Sequence, residues 1–344
     1  MHKKLRLGCS VALLAFLAWR TDWHQIAASF THLRWGVWLL AVGVYVVTQV
    51  VSSLRWQWLA RPLGFRQGLR RFVALYYVGM FFNLVLPTSV GGDVVRAWYL
   101  GGPGKRLPAF LSVFLERLSG LMVLLVIACG AAALCPLALP AWIPWSVWGL
   151  TAAGVLAVPG LLLVSRLPWP FARFRGLHAK LAGFGDQLAT ALRIYAQDPA
   201  LLIGTTVLSA VVQGANVVVV WLVGIALGAP VPASFYWILV PLVSILTLLP
   251  VSVNGMGVRE WTTVMLLAPL GVGSGTATIL AFLWFITYTA VSLGGVGPYL
   301  LGGFGRLPAG DGGTEPPTPF TEGDDGPVGG DSDQGRAGQP SAAA

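Results

Sequence analysis

The sequence predicts an all-α polytopic membrane protein of about eight transmembrane helices, with two broken, re-entrant segments that form an inverted repeat. Of its 344 residues, 56% are hydrophobic and only 10% are charged, and the mean hydropathy is +0.74. A soluble domain carries about 25% charged residues. Similar motifs interrupt two of the apolar runs, and helices are expected because a chain in lipid must satisfy its backbone internally.

The predicted spans follow from runs of about 20 mainly apolar residues, the length that crosses a bilayer. A shorter run comes first, after a basic start, and is expected to stay uncleaved because no small-residue cleavage site follows it. Two further runs end at the broken motifs. In chain order the runs are 6–19, 36–54, 72–86, 108–134, 146–164, 200–227, 235–253 and 277–301.

The distribution of charge predicts the orientation of these spans. The net charge is +9, and the basic residues lie mainly in short loops such as 55–71 and 165–199. The stretches 135–145 and 228–234 hold no charged residue. Basic loops mark the cytoplasmic side, so both termini are expected in the cytoplasm, with the protein in the plasma membrane. The high pI therefore reflects topology, and no nucleic-acid partner is predicted.

Two regions outside the spans have their own character. In the inner loop 165–199, apolar residues recur at helical spacing, from Leu177 to Leu192, which indicates an amphipathic helix. That helix either lies on the membrane surface or packs as a connector on the protein itself. Residues 303–344 are rich in Gly, Pro, Asp and Ser, which predicts a disordered cytoplasmic tail after a transmembrane domain of residues 1–302.

The two motifs are similar to each other. Residues 86–98 read LPTSVGGDVVRAW, and residues 249–261 read LPVSVNGMGVREW, with eight of the thirteen positions identical. Each interrupts an apolar run with a Pro that stops a helix and glycines that permit tight turns or close approach. The spans before and after the first motif both start in the cytoplasm, so the first motif must turn back before it crosses the membrane. The spans around the second motif make that motif approach from the opposite side.

This arrangement predicts an anion site. Each motif has an Arg nine residues after its Pro, where a new helix should begin with free N–H groups and a positive end. Two such helix starts, with Arg96 and Arg259, form a receptor suited to a phosphate group. Transporters built from inverted repeats place their substrate there, near the bilayer midplane.

Other charged residues in apolar surroundings should face the protein interior, because a charge at the centre of a spanning helix is costly. Asp93 lies three residues before Arg96, and Glu116, Arg117 and Glu260 are further cases. They either order and neutralise a ligand site or pair only with each other. The candidate substrate-binding residues are Arg96, Arg259, Asp93, Glu116, Arg117, Glu260, Asn254, Gly91, Gly92, Gly255 and Gly257. No catalytic residue, metal site or cofactor is predicted.

Three segments together, NLVLPTSVGGDVVRAWYL, SVFLERLSGL and LPVSVNGMGVREWTTVML, resemble those of the lysylphosphatidylglycerol synthase transmembrane-region family, also called flippase-like domain proteins. The likeness covers roughly residues 5–302. Asp93 stands where the family commonly has Glu, and Asn254 replaces a Gly. The resemblance implies a domain that handles membrane lipids. Aminoacyl transfer is not carried over, since the tail is too short for a transferase domain.

Three functions remain open. The first is a transporter or flippase for an anionic, phosphate-bearing lipid such as a phospholipid or a polyprenyl phosphate. The second is a membrane-embedded transferase or phosphatase acting on a polyprenyl phosphate. The third is a membrane anchor for a separate soluble enzyme, bound through the basic loops. The chain has no P-loop motif, so a transporter of this sequence would depend on a gradient or on the lipid's own imbalance between the leaflets.

Overall fold

The computed structural model describes residues 33–86, 90–134, 140–166, 175–248 and 255–301, and within those ranges it is helical with no strand. This confirms the all-α fold class. The predicted run 6–19, the tail 303–344 and the site residue Asn254 lie outside the described residues. The helices are α1 (Trp35–Ala60), α2 (Leu69–Val85), α3 (Gly91–Gly101), α4 (Arg106–Leu134), α5 (Trp142–Arg166), α6 (Arg175–Ala196), α7 (Pro199–Leu227), α8 (Ala233–Leu248), α9 (Val258–Leu267), α10 (Ser274–Ser292) and α11 (Val296–Leu301).

Helices long and apolar enough to cross a membrane correspond to four of the predicted spans. Each has 28 or 29 residues, which at 1.5 Å per residue exceeds the hydrocarbon thickness of about 30 Å. The first of these segments includes the 3₁₀ turn that follows α1, and the last includes the 3₁₀ turn and α11, which follow α10. These four described segments are Trp35–Leu63, Arg106–Leu134, Pro199–Leu227 and Ser274–Leu301.

Each broken motif separates a longer helix from a short one. Helix α2 has 17 residues and α3 has 11, while α8 has 16 and α9 has 10. Neither short helix can cross a bilayer alone, since 11 residues span only about 16 Å. Helix α3 packs on α2, and α9 packs on α8. The sequence prediction of a helix, a break and a returning helix is therefore confirmed in both halves.

The end of α1 differs from its prediction. Residues 55–71 were expected to form a cytoplasmic loop, but α1 continues to Ala60, and Arg55 and Trp56 are buried within it. The helix extends because Trp56 and Leu59 continue its apolar face into the core, and because Arg55 finds a buried carboxylate partner on α4.

Helix α6 packs on the protein, which favours the second of the two interpretations left open for this amphipathic segment. Its residues Leu188 and Tyr195 join a cluster with Leu59 of α1 and Leu115 of α4. The buried Tyr195 hydroxyl donates a hydrogen bond to the Leu59 carbonyl oxygen, and burial raises its pKa. The helix therefore ties the ends of α1 and α4 together.

The first helix pair is close-packed at two glycines. A Cβ placed on Gly92 of α3 would overlap the carbonyl oxygen of Gly79 on α2, and would also meet the Asn83 side chain. Both Gly79 and Gly92 are buried. Only glycine allows the two backbones to approach this closely, so this contact sets the position of α3 and of the charged residues that it carries.

We expect Gly92→Ala to destabilise the protein by more than about 3 kcal/mol, because a methyl group facing a backbone carbonyl exceeds the usual overpacking cost. The measurement is the midpoint of thermal unfolding in detergent. Gly130→Ala on α4 is the matched control, since a Cβ there meets nothing within 4 Å. Equal midpoints for the two variants would contradict the close packing of α2 on α3.

Candidate functional site

Arg96 lies at the centre of a buried ion network. Its Nε donates to Asp93 Oδ1 at 3.0 Å, one helical turn away, and its Nη2 donates to Glu116 Oε2 at 2.7 Å. The guanidinium lies between two aromatic rings, 4.7 Å from the Trp56 centroid and 4.6 Å from the Tyr76 centroid. With only 1% of the residue exposed, these contacts hold the charge in place.

Arg55 completes the other side of Glu116. Its Nη2 forms an ion pair with Glu116 Oε1, and its Nη1 donates to Ser209 Oγ on α7 at 3.1 Å. Glu116 is fully buried, and its two carboxylate oxygens accept from guanidiniums on two different helices. Sequence reasoning assigned Arg55 to a loop and missed it. The apolar residues Trp56 and Leu59 beside it, three positions apart as on one helix face, were the available signal.

Arg117 is the accessible member of the network. It holds Asp93 in a bidentate pair, with Nε donating to Oδ2 at 2.9 Å and Nη2 to Oδ1 at 2.8 Å. Its side chain is 49% exposed, against 2% for Arg96. We call these five residues (Arg55, Asp93, Arg96, Glu116 and Arg117) the first-motif network. Three cations and two anions leave it with one excess positive charge.

Arg259 has the equivalent position in the second motif but a different environment. It is buried, its guanidinium lies 5.1 Å from the Phe285 ring and 5.8 Å from the Trp284 ring, and its Nη1 has no hydrogen-bond partner. None of the ion pairs among the described residues includes it. The sequence explains this, because Met256 occupies the place that Asp93 has in the first motif.

Glu260 forms no ion pair among the described residues. Its Oε2 accepts a hydrogen bond from the Gly257 N–H at 2.6 Å and so caps the start of α9. A carboxylate there satisfies a free donor and the positive end of the helix. At the start of α3, Asn83 Oδ1 likewise accepts from the Gly92 N–H at 2.8 Å. At the start of each of these two helices, one free backbone N–H group is therefore already bonded to a side chain of the protein.

The motif glycines have two different roles. Gly255 and Gly257 have φ values of 73° and 82°, in the left-handed region that favours glycine, and they form the turn before α9. Gly91 and Gly92 were expected to allow a tight turn and a close approach; both lie within α3 and form no turn, and Gly92 provides the close approach to α2. The Asp93 carboxylate in the first turn of α3 favours an earlier helix start.

A stacked tyrosine pair interacts with both Arg117 and Arg259. Tyr45 of α1 and Tyr288 of α10 stack with ring centroids 4.3 Å apart. Arg117 lies close enough to interact electrostatically with Tyr45, and Arg259 interacts with both tyrosines. The structure thus brings Arg117 and Arg259 to one region, whereas Arg96 is held inside its own network. Among the described residues, no three His, Cys, Asp or Glu side chains group as a metal site.

We expect Glu116→Gln to destabilise the protein by about 3–5 kcal/mol, because it leaves Arg55 without its buried carboxylate partner and removes one of two from Arg96. The double variant Arg55→Met with Glu116→Gln should be less destabilised, since one of the buried cations is then removed. Thermal unfolding in detergent measures both. A double variant as unstable as the sum of its single variants would contradict the pairing.

We also expect the two motif arginines to respond oppositely to substitution. Arg259→Met removes a buried charge without an ion-pair partner, so the unfolding midpoint should stay the same or rise. Arg96→Met removes a paired charge and leaves Glu116 and Asp93 each with one guanidinium fewer, so the midpoint should fall. If both variants lower the midpoint equally, Arg259 is as structural as Arg96.

The comparison with known proteins agrees with this architecture. The family model of the lysylphosphatidylglycerol synthase TM region matches residues 4–295, which include every helix of the site. No curated protein and no solved structure matches the chain. The apolar helices and the family together identify a multi-pass membrane protein of lipid metabolism or transport. The chain therefore belongs to the lysylphosphatidylglycerol synthase TM-region family.

Proposed function

We propose that this protein binds an anionic, phosphate-bearing membrane lipid between its two broken motifs and moves it between leaflets. The lipid headgroup would contact Arg259 on one side and the exposed edge of Arg117 on the other. Both arginines interact electrostatically with Tyr45, on which Tyr288 stacks. Candidate lipids are an anionic phospholipid and a polyprenyl phosphate, which share the phosphate group that the site would recognise.

The environment of Arg259 is the observation that carries this proposal. A buried guanidinium normally has a carboxylate partner, because an unpaired charge inside a protein is strongly unfavourable. Arg96 shows how this chain neutralises the charge of one, with two carboxylates, although its Nη1 also lacks a hydrogen-bond partner. Arg259 has aromatic neighbours and a buried Nη1 without a hydrogen-bond partner. A phosphate oxygen supplies both the missing charge and the missing acceptor.

The charge balance supports an anionic ligand. The first-motif network has one excess positive charge, and its exposed member is Arg117. The Glu260 carboxylate is engaged with the Gly257 N–H. A bound phosphate monoanion or dianion would therefore neutralise a region that the protein's own carboxylates leave positive.

The ends of the helix pairs support an inverted repeat. In the first pair, Gly64 precedes α2 and Lys105 follows α3, and the Lys105 Nζ donates to the Gly64 carbonyl oxygen. The pair therefore starts and ends on the same side. The second pair, α8 and α9, starts beside the hydrogen bond from Arg34 N to Ala226 O, at the other end of α1. We propose that the pairs enter from opposite sides, with the first on the cytoplasmic side of the plasma membrane. Such halves can alternate access around one site.

Substitution of Arg259 tests the binding part of this proposal. The full chain is purified gently in wild-type and Arg259→Gln forms, and co-purifying lipids are identified by mass spectrometry. We expect a phosphate-bearing lipid to be enriched with the wild type and to fall about tenfold with the variant, the effect of losing one charge-assisted contact of roughly 1.4 kcal/mol. Arg259→Lys should retain part of the enrichment because it keeps the charge.

The exposed loop residue Arg66 provides the matched control, since Arg66→Gln removes the same charge outside the site. An equal loss of lipid in Arg66→Gln and Arg259→Gln would mean that overall charge, and not the site, binds the lipid. Bulk lipid composition in every form would overturn the binding proposal. The anchor hypothesis would then be favoured, and charge reversal in the basic loops would test it.

Reconstitution tests the transport part. Vesicles of phosphatidylcholine with a trace of fluorescent phosphatidylglycerol are treated with dithionite, which quenches the outer leaflet. We expect the wild type to make the inner label accessible faster than empty vesicles do, and Arg259→Gln to return the rate towards that of empty vesicles. If no anionic lipid, including a polyprenyl phosphate, moves faster than in empty vesicles, flipping is excluded. Release of a new product from the lipid would instead favour the transferase or phosphatase alternative.

A further inference from the structure

An apolar groove runs between α1 and α7, apart from the ion network. It has a volume of about 360 Å³ and is lined by α1 from Leu40 to Val51 and by Val211, Val212 and Ala215 of α7. Leu40, Val47 and Val211 are exposed, and both helices are long and apolar enough to cross a membrane. The groove therefore opens towards the hydrocarbon of the bilayer.

The dimensions of the groove fit an extended chain. From Leu40 to Val51 the helix rises roughly 16 Å, about half of a 30 Å hydrocarbon core and so about one leaflet. The lining is almost entirely apolar along this length and faces the hydrocarbon of the bilayer, so the group that it meets there is a lipid chain.

One end of the groove points along α1 and α7 towards Arg55, a buried member of the first-motif network. Arg55 lies one helical turn beyond Val51 on the same face of α1, and it donates to Ser209, two residues before Val211 on α7. The apolar lining therefore ends where the first positive charge of the network begins. This order, with an apolar trough of one leaflet length followed by a cation, matches the order of groups in an anionic lipid.

We propose that the groove between α1 and α7 binds one hydrocarbon chain of a phosphate-bearing lipid, with the polar end of that lipid towards Arg55. The proposal rests on the proposed function only for the identity of the headgroup. Gly43 is the position that keeps the groove open, because a Cβ there meets nothing within 4 Å. A larger side chain at Gly43 would occupy the space of the chain without disturbing the helix packing.

Photo-crosslinking of the full-length protein tests this. The probe is phosphatidylglycerol with a diazirine in the middle of one acyl chain, in phosphatidylcholine vesicles, and the adducts are mapped by mass spectrometry. We expect adducts to concentrate on residues 40–51 and 211–215. Gly43→Leu should reduce them about tenfold, as expected when a side chain displaces about two methylene groups of contact. Ala215→Leu, which fills the groove from α7, should do the same.

The matched control is Gly130→Leu on α4, an equally open glycine of a spanning helix outside the groove. Adducts spread evenly over all apolar helices, or reduced equally by Gly130→Leu, would overturn the proposal. Crosslinks from the groove to the chain's own residues 6–19 would also overturn it. Groove adducts that persist in Arg259→Gln with unchanged yield for phosphatidylcholine and phosphatidylglycerol probes would support the groove while rejecting the headgroup site.

Discussion

The fully buried carboxylate of Glu116 is the interaction on which the arrangement of the first half depends. It accepts from Arg55 on α1 and from Arg96 on α3, while Glu116 itself belongs to the spanning helix α4. An ionised group in an apolar interior is tolerated only when its partners are in place. The three helices therefore share one relative position that satisfies the charge. Ser209 and Asp93 extend the same constraint to α7 and to Arg117.

The two similar motifs have diverged in what surrounds their arginines. Asp93 precedes Arg96 by one helical turn, whereas Met256 has that place before Arg259. The first arginine is consequently neutralised by carboxylates and packed between ring faces, whereas the second lies against ring faces and has no ion pair among the described residues. One motif thus supports a structural network, and the other leaves a buried cation outside the ion pairs of the described residues. Similar sequence in the two halves does not imply the same role in each.

Short helices and glycine contacts allow these charges to lie deep in an apolar protein. Helix α3 can return towards its starting side because Gly92 lets its backbone touch α2 at Gly79. Helix α9 begins after two glycines with positive φ, and Glu260 satisfies its first free donor. Breaks in spanning helices are stable where protein side chains or a cavity replace the lost backbone hydrogen bonds. The breaks therefore provide polar surface at a depth that continuous helices would leave apolar.

Sequence alone determined the fold class, the family and the two broken segments, because composition, hydropathy and local motifs are properties of the chain that do not depend on its packing. It also identified Arg96, Arg259, Asp93 and Glu116 as interior charges, since their cost in an apolar run is a local fact. Which charge pairs with which was decided only by the tertiary structure. Arg55 looked like a loop residue until Glu116, 61 positions later, was placed beside it. Glu260 was expected to pair with another interior charge or with a ligand, and the turn at Gly257 brought a backbone donor to it instead. Pairing depends on distances between helices far apart in sequence, and those distances are set by packing.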